Sequence, residues 1–106
     1  MTWKKVGKVG VDSAQLLLVD PAYLKGNEND KCWKALKHHK KLAASVLLAG
    51  KYGTGVCSQT GYGDGVYNVF ANIEKTPFGK RVTELNVRFV TPKNTRLVKA
   101  VWKKAK

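Results

Sequence analysis

The chain has 106 residues, which suits one domain with one hydrophobic core, and its 43% hydrophobic content argues against wholesale disorder. Twenty lysines and arginines stand against seven aspartates and glutamates, and the resulting net charge of +13 favours polyanionic partners. Two cysteines are too few for a disulfide framework, so we expect free thiols in a reducing cytoplasm.

The N-terminal residues are basic, but no apolar run follows them, which argues against a signal peptide. The longest apolar run, residues 42–50, is too short to span a bilayer. We therefore expect a cytoplasmic protein, in the host cytoplasm if it is viral, and not an integral membrane protein.

The first half of the chain predicts two strands and one helix. Residues 6–9 are glycine-spaced and predict an edge strand, and the apolar run 16–19 predicts a buried strand that ends before Pro21. Asn29 or Asp30 offers an N-cap, and the apolar spacing that follows predicts a helix near residues 30–48. This helix could end near Ala44, because the sequence after it also suits a strand.

The second half predicts mostly strands. Residues 55–59 predict one strand, and the alternation over residues 66–73 predicts a second. Residues 82–89 predict a third strand. Residues 76–80 (TPFGK) predict a turn between the last two. The basic C-terminal segment, residues 93–106, has both helical and alternating spacing over its later part, so its structure stays open.

These elements predict an α+β fold in a single domain, residues 1–106, in which a mostly antiparallel twisted sheet or half-barrel packs against one main helix. The expected core residues are Leu16, Leu18, Trp33, Leu36, Val69, Leu85, Val87 and Phe89.

Three glycines surround Asp64 in the stretch GYGDG, residues 61–65. A phosphate-binding loop would need a helix after it, whereas here a strand pattern follows. Asp64-Gly65 is a strong hairpin dipeptide, because glycine adopts a positive φ without steric cost. We therefore favour a hairpin over an anion site or another functional loop.

Two stretches together resemble a family of small bacterial and phage proteins that has no established activity. They are VDSAQLLLVDPAY at residues 11–23 and SQTGYGDGVYNVFA at residues 58–71, and the strand ELNVRFV at residues 84–90 extends the resemblance. The family tends to have glycine where this chain has Ala14. The resemblance implies a β-rich domain, neighbouring positions for the two stretches, and a phage or viral context.

Three of the seven acidic residues lie in these two stretches, namely Asp12, Asp20 and Asp64. We expect their carboxylates to cap turns. The alternative is a small pocket for a ligand or for catalysis, formed by Asp12, Asp20, Tyr62 and Asp64. A metal ion held by these three carboxylates is a further alternative, which needs several oxygens to converge. We expect no metal and no cofactor.

The basic residues carry the strongest functional signal. The candidate polyanion-binding residues are Lys31, Lys34, Lys37, His38, Lys41, Lys99, Lys103 and Lys104. Trp3 and Trp102 are candidate stacking residues for bases, whereas Trp33 is expected in the core. Lysine outnumbers arginine by 17 to 3, which favours contacts to the phosphate backbone over base-specific contacts.

The sequence therefore predicts a non-enzymatic binding module for nucleic acid with little sequence specificity. If about five phosphates are engaged, log affinity should fall against log salt with a slope of roughly −4 to −5. Two alternatives stay open. One is a phage-type interaction protein that docks on an acidic host protein, and the other is a small-ligand binder or enzyme near GYGDG.

Overall fold

Two three-stranded sheets and one main helix make up the fold. The computed structural model describes residues 2–49 and 53–96. In chain order the elements are β1 (Trp3–Val11), β2 (Gln15–Leu18), α1 (Glu28–Ala35), β3 (Ala43–Ala49), β4 (Gly53–Gln59), β5 (Gly65–Thr76) and β6 (Gly79–Val87). The strand orders are β1-β5-β6 in one sheet and β2-β4-β3 in the other. The predicted α+β class, with mostly antiparallel strands and one main helix, is confirmed.

The chain divides into two compact units. Residues 2–10 and 65–96 form the first unit, which contains the sheet β1-β5-β6. Residues 11–49 and 53–64 form the second unit, which contains the sheet β2-β4-β3 and helix α1.

In the second unit, α1 packs on β3 and β2. The buried cluster consists of Cys32, Leu36, Val46, Leu48 and Cys57. Val46 and Leu48 alternate with exposed neighbours along β3, which is the burial period of a strand. Removal of each such aliphatic side chain from water contributes about 1.5–3 kcal/mol, so this cluster is the main source of stability for α1.

The predicted helix near residues 30–48 is wrong after Ala35, whereas the alternative that the sequence after Ala44 suits a strand is confirmed. Helix α1 ends at Ala35, and residues 43–49 form strand β3, which pairs with β4 in antiparallel register. The helix ends because Lys37, His38 and His39 all adopt positive φ values, of 53°, 55° and 67°. The apolar spacing over residues 33–47 therefore comes from a helix and a strand that pack on the same core.

In the first unit, β5 lies between β1 and β6. Strands β5 and β6 form an antiparallel hairpin in which Thr76 pairs with Gly79, so the predicted turn at TPFGK is confirmed. Tyr67 and Ala71 are buried on β5, and the Tyr67 ring packs edge-on against Phe89 at 5.3 Å between ring centroids. Asn72 is also buried, and its side-chain oxygen accepts a hydrogen bond from the Thr2 amide at 2.9 Å.

The predicted core is only partly right. Leu36 is fully buried, but Leu18 is 58% exposed and Leu85 is 59% exposed. Leu17 and Val19 pack against the cluster instead of Leu16 and Leu18, because alternate residues of a strand point to opposite faces. Of the remaining predicted core residues, Trp33 is exposed, and four are half-buried: Leu16, Val69, Val87 and Phe89.

The predicted hairpin at GYGDG is also wrong. Strand β4 before it pairs with β2 and β3, whereas β5 after it belongs to the other sheet. Residues 60–64 therefore connect two sheets. The connection still depends on glycine, because Gly61, Gly63 and Gly65 have φ values of 65°, 98° and 155°.

Candidate polyanion-binding surface

A left-handed turn follows α1 and carries a dense group of basic side chains. We call residues 34–41 the basic turn. Its backbone is held by hydrogen bonds from the His38 amide to the Trp33 carbonyl at 3.0 Å and from the Lys41 amide to the Leu36 carbonyl at 2.9 Å. Left-handed φ values cost non-glycine residues about 1–2 kcal/mol each. These hydrogen bonds and the buried Leu36 side chain offset that cost.

Four side chains of the basic turn line one shallow depression with a volume of about 470 Å³: Lys34, Lys37, His38 and Lys40. The acidic residue close to it is Asp30, whose carboxylate lies 3.1 Å from the Lys34 ammonium. Both of these side chains are about two-thirds exposed, so water and salt screen their attraction and the ion pair stabilises the protein little. A phosphate could therefore displace Asp30 at small cost.

Trp33 lies beside the depression and is 38% exposed, so the expectation that it lies in the core is wrong. Its ring centroid is 5.2 Å from that of His38 and 4.5 Å from that of His39. The exposed part of the indole next to three lysines is the combination that single-strand binders use to stack a base and hold its phosphate.

The structure brings together only some of the predicted polyanion-binding residues. Lys34, Lys37 and His38 share the depression. Lys31 instead donates from its Nζ atom to the Leu48 carbonyl at 3.0 Å, which ties α1 to β3. Lys41 is exposed beside the depression, and its carbonyl accepts a hydrogen bond from Gln59 Nε2.

Lys40 also lines the depression, although it was not among the predicted polyanion-binding residues. Lys99, Lys103, Lys104 and Trp102 lie outside the described residues. Trp3 is 42% exposed on β1, in the first unit, whereas the basic turn belongs to the second.

Two of the four residues of the predicted pocket accept hydrogen bonds from backbone amides. Asp20 accepts a hydrogen bond from the Ala22 amide at 2.9 Å and caps the 3₁₀ turn at Pro21–Tyr23. Asp64 accepts a hydrogen bond from the Ala14 amide at 2.8 Å. Asp12 and Tyr62 are exposed. The contacts of Asp20 and Asp64 fit the expected turn-stabilising role of these carboxylates.

The Asp64 contact also joins the two stretches that carry the family resemblance. The Thr60 amide donates to the Ala14 carbonyl at 3.3 Å, so both polar groups of the Ala14 backbone are bonded to residues 60–64. Ala14 itself has a φ of 58°, a conformation that favours glycine.

Replacing Ala14 by glycine should therefore raise the free energy of unfolding by about 0.5–1 kcal/mol, because relief of the left-handed strain exceeds the added entropy of the unfolded chain. Urea denaturation followed by circular dichroism measures this. Ala22→Gly, at an exposed site without positive φ, is the matched control and should lower stability. A loss of stability in Ala14→Gly would contradict the strain at this residue.

The two cysteine thiols are buried beneath α1. Cys57 Sγ donates to the Ala44 carbonyl at 3.5 Å. Burial, and secondarily the neighbouring Cys57 thiol, raises the pKa of Cys32 from its ordinary value of 9.0 to about 11. The Cys32 thiol is therefore held in the protonated, unreactive form at neutral pH.

The raised pKa of Cys32 predicts a pH dependence of stability. The contribution of the neutral thiol is fully present below about pH 9 and is lost as the pH rises through about 11, because the unfolded state releases the proton first. The urea midpoint of the wild-type protein should fall between pH 8 and pH 11, and the midpoint of Cys32→Ala should fall less over the same range. Iodoacetamide at pH 8 should modify the native Cys32 about 100-fold more slowly than the unfolded one. Equal rates would contradict the burial.

No protein-family model, curated protein or solved structure matches the chain. No group of three or more histidine, cysteine, aspartate or glutamate side chains within residues 2–49 and 53–96 is arranged to hold a metal ion. In the same part of the chain, no helix is long and apolar enough to cross a membrane.

Proposed function

We propose that this protein is a non-enzymatic module that binds the phosphate backbone of nucleic acid through the basic turn, with little sequence specificity. The observation that carries the proposal is the convergence of Lys34, Lys37, His38 and Lys40 on one shallow depression. Lysine ammonium groups attract phosphates as point charges and read no base pattern, which fits backbone contacts.

The exposed part of Trp33 favours single-stranded over double-stranded nucleic acid. An unpaired base can stack on the indole while its phosphates contact the lysines, whereas a base inside a duplex cannot reach the ring. Because His38 and His39 pack against Trp33, the ring is held in one orientation before any ligand binds.

The test is a fluorescence-anisotropy titration of the nuclease-treated protein with labelled single- and double-stranded DNA and RNA at several salt concentrations. The triple variant Lys34→Glu, Lys37→Glu and Lys40→Glu removes three phosphate contacts. We expect it to weaken binding by about 100-fold near physiological salt and to reduce the salt slope by about 2–3, similarly for all sequences.

A control variant with the same change of net charge is Lys75→Glu, Lys80→Glu and Arg81→Glu, at the tip of the β5–β6 hairpin. It should weaken binding by less than about tenfold, since only long-range attraction is altered. Equal losses in the two triple variants, or equal affinity for heparin and every nucleic acid, would refute a specific role for the basic turn.

A further inference from the structure

A second cleft, in the first unit, differs in composition from the depression at the basic turn. Its volume is about 520 Å³, within the range of small-molecule sites. Its lining includes the ring of Phe70, the amide side chains of Asn68 and Asn94, and the cationic side chains of Arg88 and Lys93. Among the described residues that line it, none is acidic.

The strand register explains how these side chains meet. Asn68 and Phe70 flank Val69 on β5, so their side chains lie on the face of the strand opposite to that of Val69. Val69 pairs with Val87, the last residue of β6, and Arg88 follows Val87 directly, which brings Arg88 beside this part of β5. Phe70 is half-buried, and it offers an apolar floor beside the polar groups.

Hydrogen bonds to the backbone position Arg88 and the segment that carries Lys93. Arg88 donates from Nε to the Val90 carbonyl at 3.0 Å, which fixes the plane of its guanidinium group. Asn94 accepts a hydrogen bond from the Thr91 amide at 2.8 Å and donates to the Phe89 carbonyl at 2.6 Å, and these bonds shape the segment that carries Lys93. The guanidinium can thus present its terminal amino groups to an anion as a fork.

Asn68 supplies the remaining group. Its side chain is exposed and lines the cleft. A carboxamide donates and accepts at once, so it can pair with the edge of a heterocyclic base.

We infer that this cleft binds a nucleoside 5′-phosphate, with the base against Phe70 and Asn68 and the phosphate between Arg88 and Lys93. In this complex the base stacks on the Phe70 ring, and Arg88 and Lys93 bind the phosphate. The cleft is large enough to hold the base and the phosphate together. The inference is separate from the proposed function, because the cleft shares no residue with the basic turn.

The experiment is a titration of the ¹⁵N-labelled protein with AMP, adenosine, ribose 5-phosphate and inorganic phosphate, followed by ¹H–¹⁵N correlation spectra and calorimetry. We expect AMP to bind at least about tenfold more tightly than each fragment, with the largest shifts at the amides of Asn68, Phe70 and Arg88. Arg88→Gln should weaken AMP binding about tenfold or more, because a charge-assisted contact is lost.

Two further variants make the outcome decisive. Arg81→Gln, on β6 and outside the cleft lining, should leave AMP binding unchanged. The triple lysine variant of the basic turn should also leave it unchanged. The inference is overturned if AMP fails to bind at millimolar concentration, if phosphate or ribose 5-phosphate binds as tightly as AMP, or if AMP binding is insensitive to Arg88→Gln.

Discussion

Replacing Leu36 by alanine should lower the free energy of unfolding by about 2–5 kcal/mol. Leu36 is fully buried in the cluster beneath α1, between Cys32, Val46 and Cys57. The loss combines the transfer of the removed methyl and methylene groups to water with the cavity they leave. For a small protein this is a large part of the total stability.

The same change should also weaken nucleic-acid binding. The Leu36 carbonyl accepts the Lys41 amide hydrogen bond that closes the basic turn, so a loosened Leu36 backbone releases the left-handed residues that carry the lysines. Urea denaturation and anisotropy titration of one preparation measure both effects. Leu42→Ala, at a side chain that is 77% exposed, is the control and should change stability by less than about 0.5 kcal/mol. Equal stabilities for the two variants would contradict the core placement of Leu36.

The sequence predicted the strands better than the helix. Alternation along β5 and the TPFGK turn are local features, and the structure confirms both. The length of α1 depends on a non-local feature, because residues 43–49 pair with β4 instead of continuing the helix. Apolar spacing indicates only which residues face a hydrophobic core. Here helix α1 and strand β3 face the same core, so their apolar residues together imitate one longer helix.

The connection at GYGDG shows a second kind of limit. The glycines correctly indicated positive φ values, but a hairpin and a link between two sheets need the same local conformation. Whether the segment is a hairpin or a link depends on which strands pair with β4 and β5. The five residues of the link carry no information on that pairing.

The candidate binding surface was predicted in part. Charge alone selected Lys34, Lys37 and His38, which share the depression. It also selected Lys31, whose Nζ is committed to the Leu48 carbonyl. Lys40 joins the group because three consecutive non-glycine residues adopt left-handed φ values. Histidine is more common than most residues at positive φ, but three such residues in succession are not predictable from residue type.

Replacing Gly55 by alanine should destabilise the protein by about 1–3 kcal/mol through overpacking. An added Cβ would lie 2.8 Å from the Leu18 carbonyl oxygen, 3.1 Å from Leu17 Cδ1 and 3.2 Å from Val19 Cβ. The nearest of these atoms belongs to the backbone of β2, so rotation of a side chain cannot relieve the clash. Strand β2 pairs with β4 from Gln15 to Leu18, and a shift of its end would strain those hydrogen bonds.

Gly7→Ala is the matched control, since Gly7 also lies in a strand and an added Cβ there meets no atom within 4 Å. Its expected effect on the free energy of unfolding is within about 0.5 kcal/mol. Urea denaturation of both variants separates a specific clash from the general effect of replacing glycine in a strand. If Gly55→Ala and Gly7→Ala change the free energy of unfolding equally, the backbone of β2 does not lie as close to Gly55 of β4 as described. A selective loss in Gly55→Ala would show that glycine is needed there for close approach of two strands, since its φ lies outside the left-handed region.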